Sequence, residues 1–381
     1  MQVAIIGGKL QGTEAAYLAG KAGFHTLLID QNPDVPARGL CEAFAPWDVT
    51  KKEAPLVQAL RQADFVLPAM ENDAVLHAIR EMDEGGGMNV AFDFSAYAVT
   101  ASKIQSDRLI RDNRIPAPAY FPGCRGMCIA KPSSGSGSEG VVKLPAEEVP
   151  AFLAAKQDPD NWIVEEFLTG PSYSLEVIGT PGHYRTYTVT QIHMDPVYDC
   201  NRVTAPCPVT ALQEQSFERI AKELAELVRL HGIMDVEVID DHGVLKVLEI
   251  DARIPSQTPA VVWHVSGINL LSELAALATG RPLQAGPARK PPRYCSYEHF
   301  LVQGEQIIPA GEHMMATAGL LRCRENFLGA DEVISDFQPG MPCWRGIFIN
   351  AAPTPEALEQ KRAVMKEQLK QLSLSNSSDT D

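Results

Sequence analysis

Ile233-Met234-Asp235-Val236-Glu237-Val238-Ile239, the turn Asp240-Asp241-His242-Gly243, and Val244-Leu245-Lys246-Val247-Leu248-Glu249-Ile250-Asp251-Ala252-Arg253 together read as a β-hairpin. Charged and aliphatic residues alternate along both arms, the pattern of strands with one buried face. Asp235 and Glu237 therefore share one face of the first arm, and Glu249, Asp251 and Arg253 share one face of the second. Whether the two sets meet depends on the turn. An odd-length connection puts them on the same side, and an even-length one separates them, because a one-residue change of register turns every side chain over. Acids gathered on one sheet face repel one another unless something offsets the charge. A hard divalent cation does so through oxygen ligands, and Mg²⁺ is usually held by one or two carboxylates together with nucleotide phosphates. Arg253 then faces the point where negative charge builds on a transferring phosphoryl or acyl group. A plain solvated acidic face is the competing reading. It does not account for the rigid polar loop Pro255-Ser256-Gln257-Thr258-Pro259 that follows.

Upstream of the hairpin lie two glycine-bearing loops. The first, Gly7-Gly8-Lys9-Leu10-Gln11-Gly12, follows the apolar run Val3–Ile6 and precedes a helical stretch from Glu14 to Ala22 that Gly23 ends. The next strand, Thr26–Ile29, finishes in Asp30, which makes a βαβ unit with an acid at the tip of its second strand. Lys9 stands where a dinucleotide fingerprint would carry its second glycine, so that fingerprint is broken. Further strands are expected at 65–68 and 90–92, giving an open α/β domain over residues 1–97. The second loop, Lys131-Pro132-Ser133-Ser134-Gly135-Ser136-Gly137-Ser138-Glu139-Gly140, joins strand-like runs at 127–130 and 141–144. Backbone N–H groups and hydroxyls in such a loop can fold over phosphates while the lysine neutralises charge. Strands are also expected at 163–168 and 173–179. An amphipathic helix spans 211–231, with Phe217, Ile220, Leu224, Leu227 and Val228 on its core stripe. A last helix covers 356–372, and the polar tail 373–381 is expected to be disordered.

Composition narrows the function classes. The 381 residues are 45% hydrophobic and 21% charged, enough for real cores and about two or three domains. The 33 basic and 48 acidic side chains leave a net charge of −15, which disfavours nucleic acid or an anionic membrane as partner. No apolar run approaches the roughly 20 residues of a membrane span. The N-terminus has no secretory character, and the eight cysteines form no C-x-x-C pair or disulfide framework. A cytoplasmic location with reduced thiols is the expectation. Cys200, in the polar run Tyr198-Asp199-Cys200-Asn201, lies near a pocket or fills a small buried space.

In this order the motifs resemble the ATP-grasp superfamily across nearly the whole chain: an α/β domain, a lysine-bearing segment, a lysine with a glycine lid, Glu165-Glu166-Phe167-Leu168, then the acid hairpin. The usual E-x-N is here Glu249-Ile250-Asp251, and Asp still offers an oxygen ligand. More narrowly the chain resembles the ligases of pyrrolysine biosynthesis that join 3-methyl-D-ornithine to L-lysine. The stretches GGKLQG (7–12), SLEVIG (174–179), YDC (198–200), GIMDVE (232–237), EIDAR (249–253), PSQTP (255–259), SGINL (266–270) and RYCSYEH (293–299) carry that likeness. The resemblance implies a Rossmann-like domain over 1–97, a lid subdomain over 98–175 and a mixed-sheet catalytic domain over 176–372. It implies ATP and Mg²⁺ as cofactors, small amino acids as partners, and amide formation through an acyl phosphate.

Residue by residue, the resemblance implies the following roles. Lys103, Lys131 and Ser138 sit at the nucleotide, Lys9 and Asp30 take either a nucleotide or a substrate role, and Glu165, Glu166, Phe167 and Leu168 hold the adenine and ribose. Glu237, Glu249 and Asp251 bind Mg²⁺. Ser174, Glu176, Asp235 and the run Pro255, Ser256, Gln257, Thr258, Pro259 and Ala260 hold the methylornithine. Leu10, Gln11, Glu71 and Glu298 hold lysine, and Arg253 stabilises the acyl phosphate. Met70 stands before Glu71 where the family often has Asn. An acidic protein also attracts substrates that carry ammonium groups. Three other readings compete: another ATP-grasp ligase for amino acids or purine precursors, a nicotinamide-dependent oxidoreductase built on the first βαβ unit, and a non-catalytic nucleotide-binding module.

Overall fold

The computed structural model describes residues 1–133, 140–284 and 293–378. Its first sheet has four parallel strands, in the order Ala43–Ala45, His25–Ile29, Gln2–Ile6 and Phe65–Pro68. Their near-continuous apolar runs suit strands covered on both faces. The glycine loop is dictated here by packing: a Cβ on Gly12 would stand 2.0 Å from the Gly7 carbonyl oxygen. The helix Leu10–Ala22 starts earlier than expected and ends, as expected, on a left-handed Gly23.

The expected strand at 90–92 is corrected to a single bridge between Val90 and Val66. Three left-handed glycines, Gly85–Gly87, precede it, and Asp93 caps the helix Phe94–Thr100 just after it. No length remains for a ladder.

A three-stranded antiparallel sheet follows, with Met127–Pro132 between Val142–Pro145 and Trp162–Glu166. Cys124, Cys128, Ala130, Leu144, Val149 and Val164 form its own small core. Ser138 and the rest of 134–139 lie outside the described residues.

The remaining strands build one sheet of eleven. Its continuous path runs Val244–Asp251, Gly232–Asp241, Ser172–Thr180, Thr190–Met194, Cys200–Ala205, Tyr294–Gln303, Cys343–Ala352, Glu332–Ser335 and Arg322–Glu325. The helix Ala211–Leu227 lays Phe217, Ile220 and Leu224 on this sheet. It stops short of 231 because Arg229, at φ 54°, turns the chain out of the helix. The last helix runs Pro355–Ser378, so residues 373–378 of the expected disordered tail are helical. Ser373 is 2% exposed and its hydroxyl donates to the Gly304 carbonyl, which ties the extra turns to the sheet. Residues 379–381 lie outside the description. No single helix among the described residues is long and apolar enough to cross a membrane.

Candidate active site

The hairpin turn is even. Asp241 pairs with Val244, leaving a two-residue connection of His242 (φ 53°) and Gly243 (φ 93°). Both left-handed residues suit a tight hairpin turn. A regular ladder from that turn would place Glu237 opposite Leu248 and put the two acid sets on opposite faces. Instead the register shifts after Val238↔Val247, and Glu237 pairs with Glu249 and Asp235 with Asp251. Leu248 is the extra residue of a β-bulge, a device that re-aims side chains beside active sites. Lys131 Nζ lies 3.4 Å from its carbonyl oxygen.

The strand Ser172–Thr180 extends the same face, pairing Glu176 with Asp235 and Ser174 with Glu237. Glu176, Asp235, Asp251 and Ser174, Glu237, Glu249 thus form two rows across three strands. The Ser174 hydroxyl donates to Asp235 in a short hydrogen bond.

The cations gather at one end. Lys103 Nζ is 2.6 Å from Glu249 and Lys131 Nζ is 2.8 Å from Glu165. Burial alone would raise Glu249, but Lys103 and Lys131 outweigh it and hold the carboxyl below its ordinary value. The other acids lack that help. Burial raises Glu237 well above the usual range, with Asp235 and Glu249 adding to it. Burial likewise pushes Asp251 up to about 7, against the pull of Arg253. Glu176 rises to about 8 through burial and the neighbouring Asp235, against the pull of the Thr258 hydroxyl. Such clustered, proton-retaining carboxyls fit a divalent cation, which takes the place of protons on its ligands.

Between this face and the three-stranded sheet lies a cavity of about 320 Å³. Lys103, Lys131, Glu165, Glu166, Phe167, Leu168, Glu237 and Glu249 line it, so these eight expected residues are brought together. Glu166 also reaches outward, pairing with Lys246 at 2.5 Å. Met194 and Tyr198 line the cavity too, and sequence reading had not assigned them. Tyr198 meets the Phe167 ring edge-on, and Lys143 Nζ sits 3.5 Å from that ring's centroid.

A second cavity, about 660 Å³, opens at the carboxyl ends of the parallel strands. Leu10, Gln11 and Glu71 line it together. Lys9 and Asp30 line it as well, apart from the cavity that holds Lys103 and Lys131. They belong to the first sheet's rim, and Asp30 is engaged there, accepting the Gly8 N–H at 2.9 Å. Glu71 links this cavity to the acidic face through Arg253. Its Oε1 accepts Gln11 Nε2 at 2.8 Å and lies 2.5 Å from Arg253 Nε. Arg253 also reaches Asp251 at 3.1 Å.

Glu298 lies in neither cavity, a correction to its expected role with lysine. Arg362 of the last helix grips it at 2.6 and 2.7 Å, and Ser296 donates to it at 3.1 Å. Burial alone would raise this carboxyl, but the Arg362 bonds win and hold it below its ordinary value. It is a sheet-to-helix clamp.

The loop 255–260 returns the chain beside Glu176. The Ser256 hydroxyl donates to Glu312 at 2.6 Å, and the Cys200 thiol donates to Gln257 Oε1 at 3.1 Å. Thr258 stands beside Glu176, its hydroxyl toward that carboxyl. Ala260 donates its N–H to Glu14, an acid the sequence reading used only to mark a helix start. The signal was present: Glu14 lies among Ala15, Ala16, Leu18 and Ala19 on a helix buried all round, so it needs a partner from another element.

Comparison with known proteins agrees with this geometry. The sequence profile of the ATP-grasp domain matches residues 100–257. The 3-methyl-D-ornithine–L-lysine ligase of Methanosarcina acetivorans is 38% identical over 315 residues, 82% of this chain and 84% of that one. Two solved structures share the fold. One is the biotin carboxylase domain of Hydrogenobacter thermophilus 2-oxoglutarate carboxylase in complex with MgADP, with a TM-score of 0.72 at 13% identity, covering 96% of this chain and 89% of that one. The other is an L-amino acid ligase from Bacillus licheniformis, with a TM-score of 0.68 at 16% identity, covering 96% and 97%. The protein is an ATP-grasp ligase, and the chain belongs to the 3-methyl-D-ornithine–L-lysine ligase family.

Proposed function

We propose that this enzyme joins the carboxylate of 3-methyl-D-ornithine to the ε-amine of L-lysine, consuming ATP and releasing ADP and phosphate. The observation that carries the reading is the single acidic face: Glu176, Asp235, Glu237, Glu249 and Asp251 on three adjacent strands, flanked by Lys103 and Lys131. The 320 Å³ cavity takes the nucleotide, with Lys103 and Lys131 toward its phosphates and Glu165–Leu168 along its base and ribose. Glu237, Glu249 and Asp251 hold Mg²⁺, which supplies charge neutralisation on the phosphates when bound.

Ser174, Glu176, Asp235 and the 255–260 loop hold the methylornithine, their acids pairing with its ammonium groups. Its carboxylate attacks the γ-phosphorus, the bond to the ADP oxygen breaks, and an acyl phosphate forms. Arg253 lies beside Asp251, where it stabilises the charge on that acyl phosphate. Lysine enters by the 660 Å³ cavity, held by Leu10, Gln11 and Glu71, and its deprotonated amine displaces phosphate. Its reference pKa of about 10.4 means that a proton must leave before attack.

The test supplies ATP, Mg²⁺, D-ornithine and L-lysine and reads the products by mass spectrometry. A condensation product with the summed mass less one water, formed with ADP, is expected. Amide formation with other amines or acids but not with this pair would move the assignment to another amino-acid ligase.

A further inference from the structure

The turn that opens the 255–260 loop is strained. Thr258 N–H bonds back to the Ser256 carbonyl at 2.8 Å, and Gln257 between them has φ 70° and ψ −56°. This is a γ-turn of the rare positive-φ kind, a conformation that persists only where surrounding groups over-determine it. Gln257 is 3% exposed and carries no glycine's freedom.

The helix Thr258–Ser266 begins directly after it, and its first amide donors can be traced. Thr258 N–H serves the γ-turn, Pro259 has no N–H, and Val261 N–H reaches the Gln257 carbonyl at 3.3 Å. Ala260 N–H donates at 2.6 Å to Glu14 Oε1, and the Gln257 backbone also bonds to this carboxyl. Glu14 comes from a helix of the first domain and is 2% exposed. One turn earlier on that helix, Gln11 bonds Glu71, which holds Arg253. Gln11 and Glu14 are three residues apart and so lie on one side of their helix.

We propose that Glu14 is a positioning residue for the carboxylate substrate. It clamps the γ-turn and the following helix start, which aims Thr258 at Glu176 and Ser256 at Glu312. A substrate carboxylate does not take the Ala260 amide, because Glu14 already occupies it. The proposal rests on the loop's assignment to the carboxylate substrate given above. It deepens that assignment by placing the loop's geometry under control of the domain that also holds the amine-side residues.

The experiment compares Glu14→Ala and Glu14→Gln with the wild-type enzyme by two readouts. Glutamine keeps a carbonyl oxygen where Glu14 Oε1 accepts, and alanine does not. In unliganded enzyme, hydrogen exchange at residues 255–262 should quicken about tenfold in Glu14→Ala, with 232–251 unchanged, and stay near wild type in Glu14→Gln. In turnover with D-ornithine, lysine and ATP, Glu14→Ala should raise KM for D-ornithine about tenfold and leave KM for lysine and ATP within about twofold. Glu14→Gln should restore it. Unchanged exchange at 255–262 in Glu14→Ala, or all three KM values rising together, overturns the proposal. If wild-type enzyme forms no product from this substrate pair, the substrate assignment fails, and the exchange readout still decides the role of Glu14.

Discussion

Glu237 stands opposite Glu249 because Leu248 is an extra residue in the return strand. Without that bulge the two-residue turn would send one acid to the binding cleft and the other to the opposite face. The Glu249 side chain stays 33% open to the cleft while Lys103 holds it at 2.6 Å, so it is ionised and accessible at once. Glu249→Gln should therefore lower kcat for ATP turnover by about 100-fold or more, while the unfolding temperature stays within a few degrees of wild type. Steady-state kinetics and a thermal melt check both halves.

Lys131 pairs with Glu165 at 2.8 Å on the cavity wall and also lies against the bulge carbonyl of Leu248. Removing it deletes a phosphate-facing charge and leaves a buried carboxylate alone. Lys131→Ala should weaken ATP binding by about tenfold or more in calorimetry. An unaltered affinity would contradict the placement of the nucleotide in this cavity.

Glu71 holds Gln11 and Arg253 with one oxygen. Glu71→Gln removes the charge that would meet an incoming ammonium group and loosens Arg253. KM for lysine should rise about tenfold, with the Kd for ATP changed less than about twofold. Initial-rate kinetics with lysine varied, beside nucleotide titration, separates the two.

The Arg362–Glu298 clamp gives the opposite pattern. Both side chains are under 10% exposed, and breaking a buried pair by removing one partner costs about 3–5 kcal/mol. Arg362→Ala should lower the unfolding free energy on that scale and leave the KM values of the surviving folded enzyme unchanged. A selective rise in KM for lysine would return Glu298 to the substrate site.

Glu14 sets a pH dependence. Burial raises its carboxyl from 4.5 to about 8 in the folded chain. The stability it contributes is full below about 4.5, where both states are protonated, and is lost as pH rises through about 8. At about 1.4 kcal/mol per pK unit, the loss is at most about 5 kcal/mol. Urea unfolding of unliganded wild type and Glu14→Gln should show the wild type's relative stability falling between pH 5 and 8.5. A constant difference would contradict a carboxyl that stays protonated on folding.

The sequence carried the acid hairpin plainly, because Asp235, Glu237, Glu249 and Asp251 alternate with aliphatic residues that can only be a sheet interior. It did not carry their meeting. Leu248 looks like any other aliphatic position, and a bulge is set by how three strands pack rather than by one residue. Glu298 was misplaced for a related reason: its neighbours Tyr297 and His299 face the other way, and its partner Arg362 is 64 positions distant on a helix. For Lys9 and Asp30 the sequence left a nucleotide role and a substrate role open, and only the rim of the first sheet fixes where they lie. The strand at 343–352 is rich in Trp, Phe and Ile, legible as β by propensity, yet it had no motif to draw notice.

The central claim is that one acidic sheet face grips a divalent ion beneath a nucleotide. Titration of Mn²⁺ into the enzyme with a non-hydrolysable ATP analogue, followed by electron paramagnetic resonance, tests it most directly. Wild type should bind Mn²⁺ in a nucleotide-dependent manner, and the double variant Glu249→Gln/Asp251→Asn should lose that binding by at least about 100-fold while remaining folded. Undiminished nucleotide-dependent Mn²⁺ binding in the folded double variant would contradict the account.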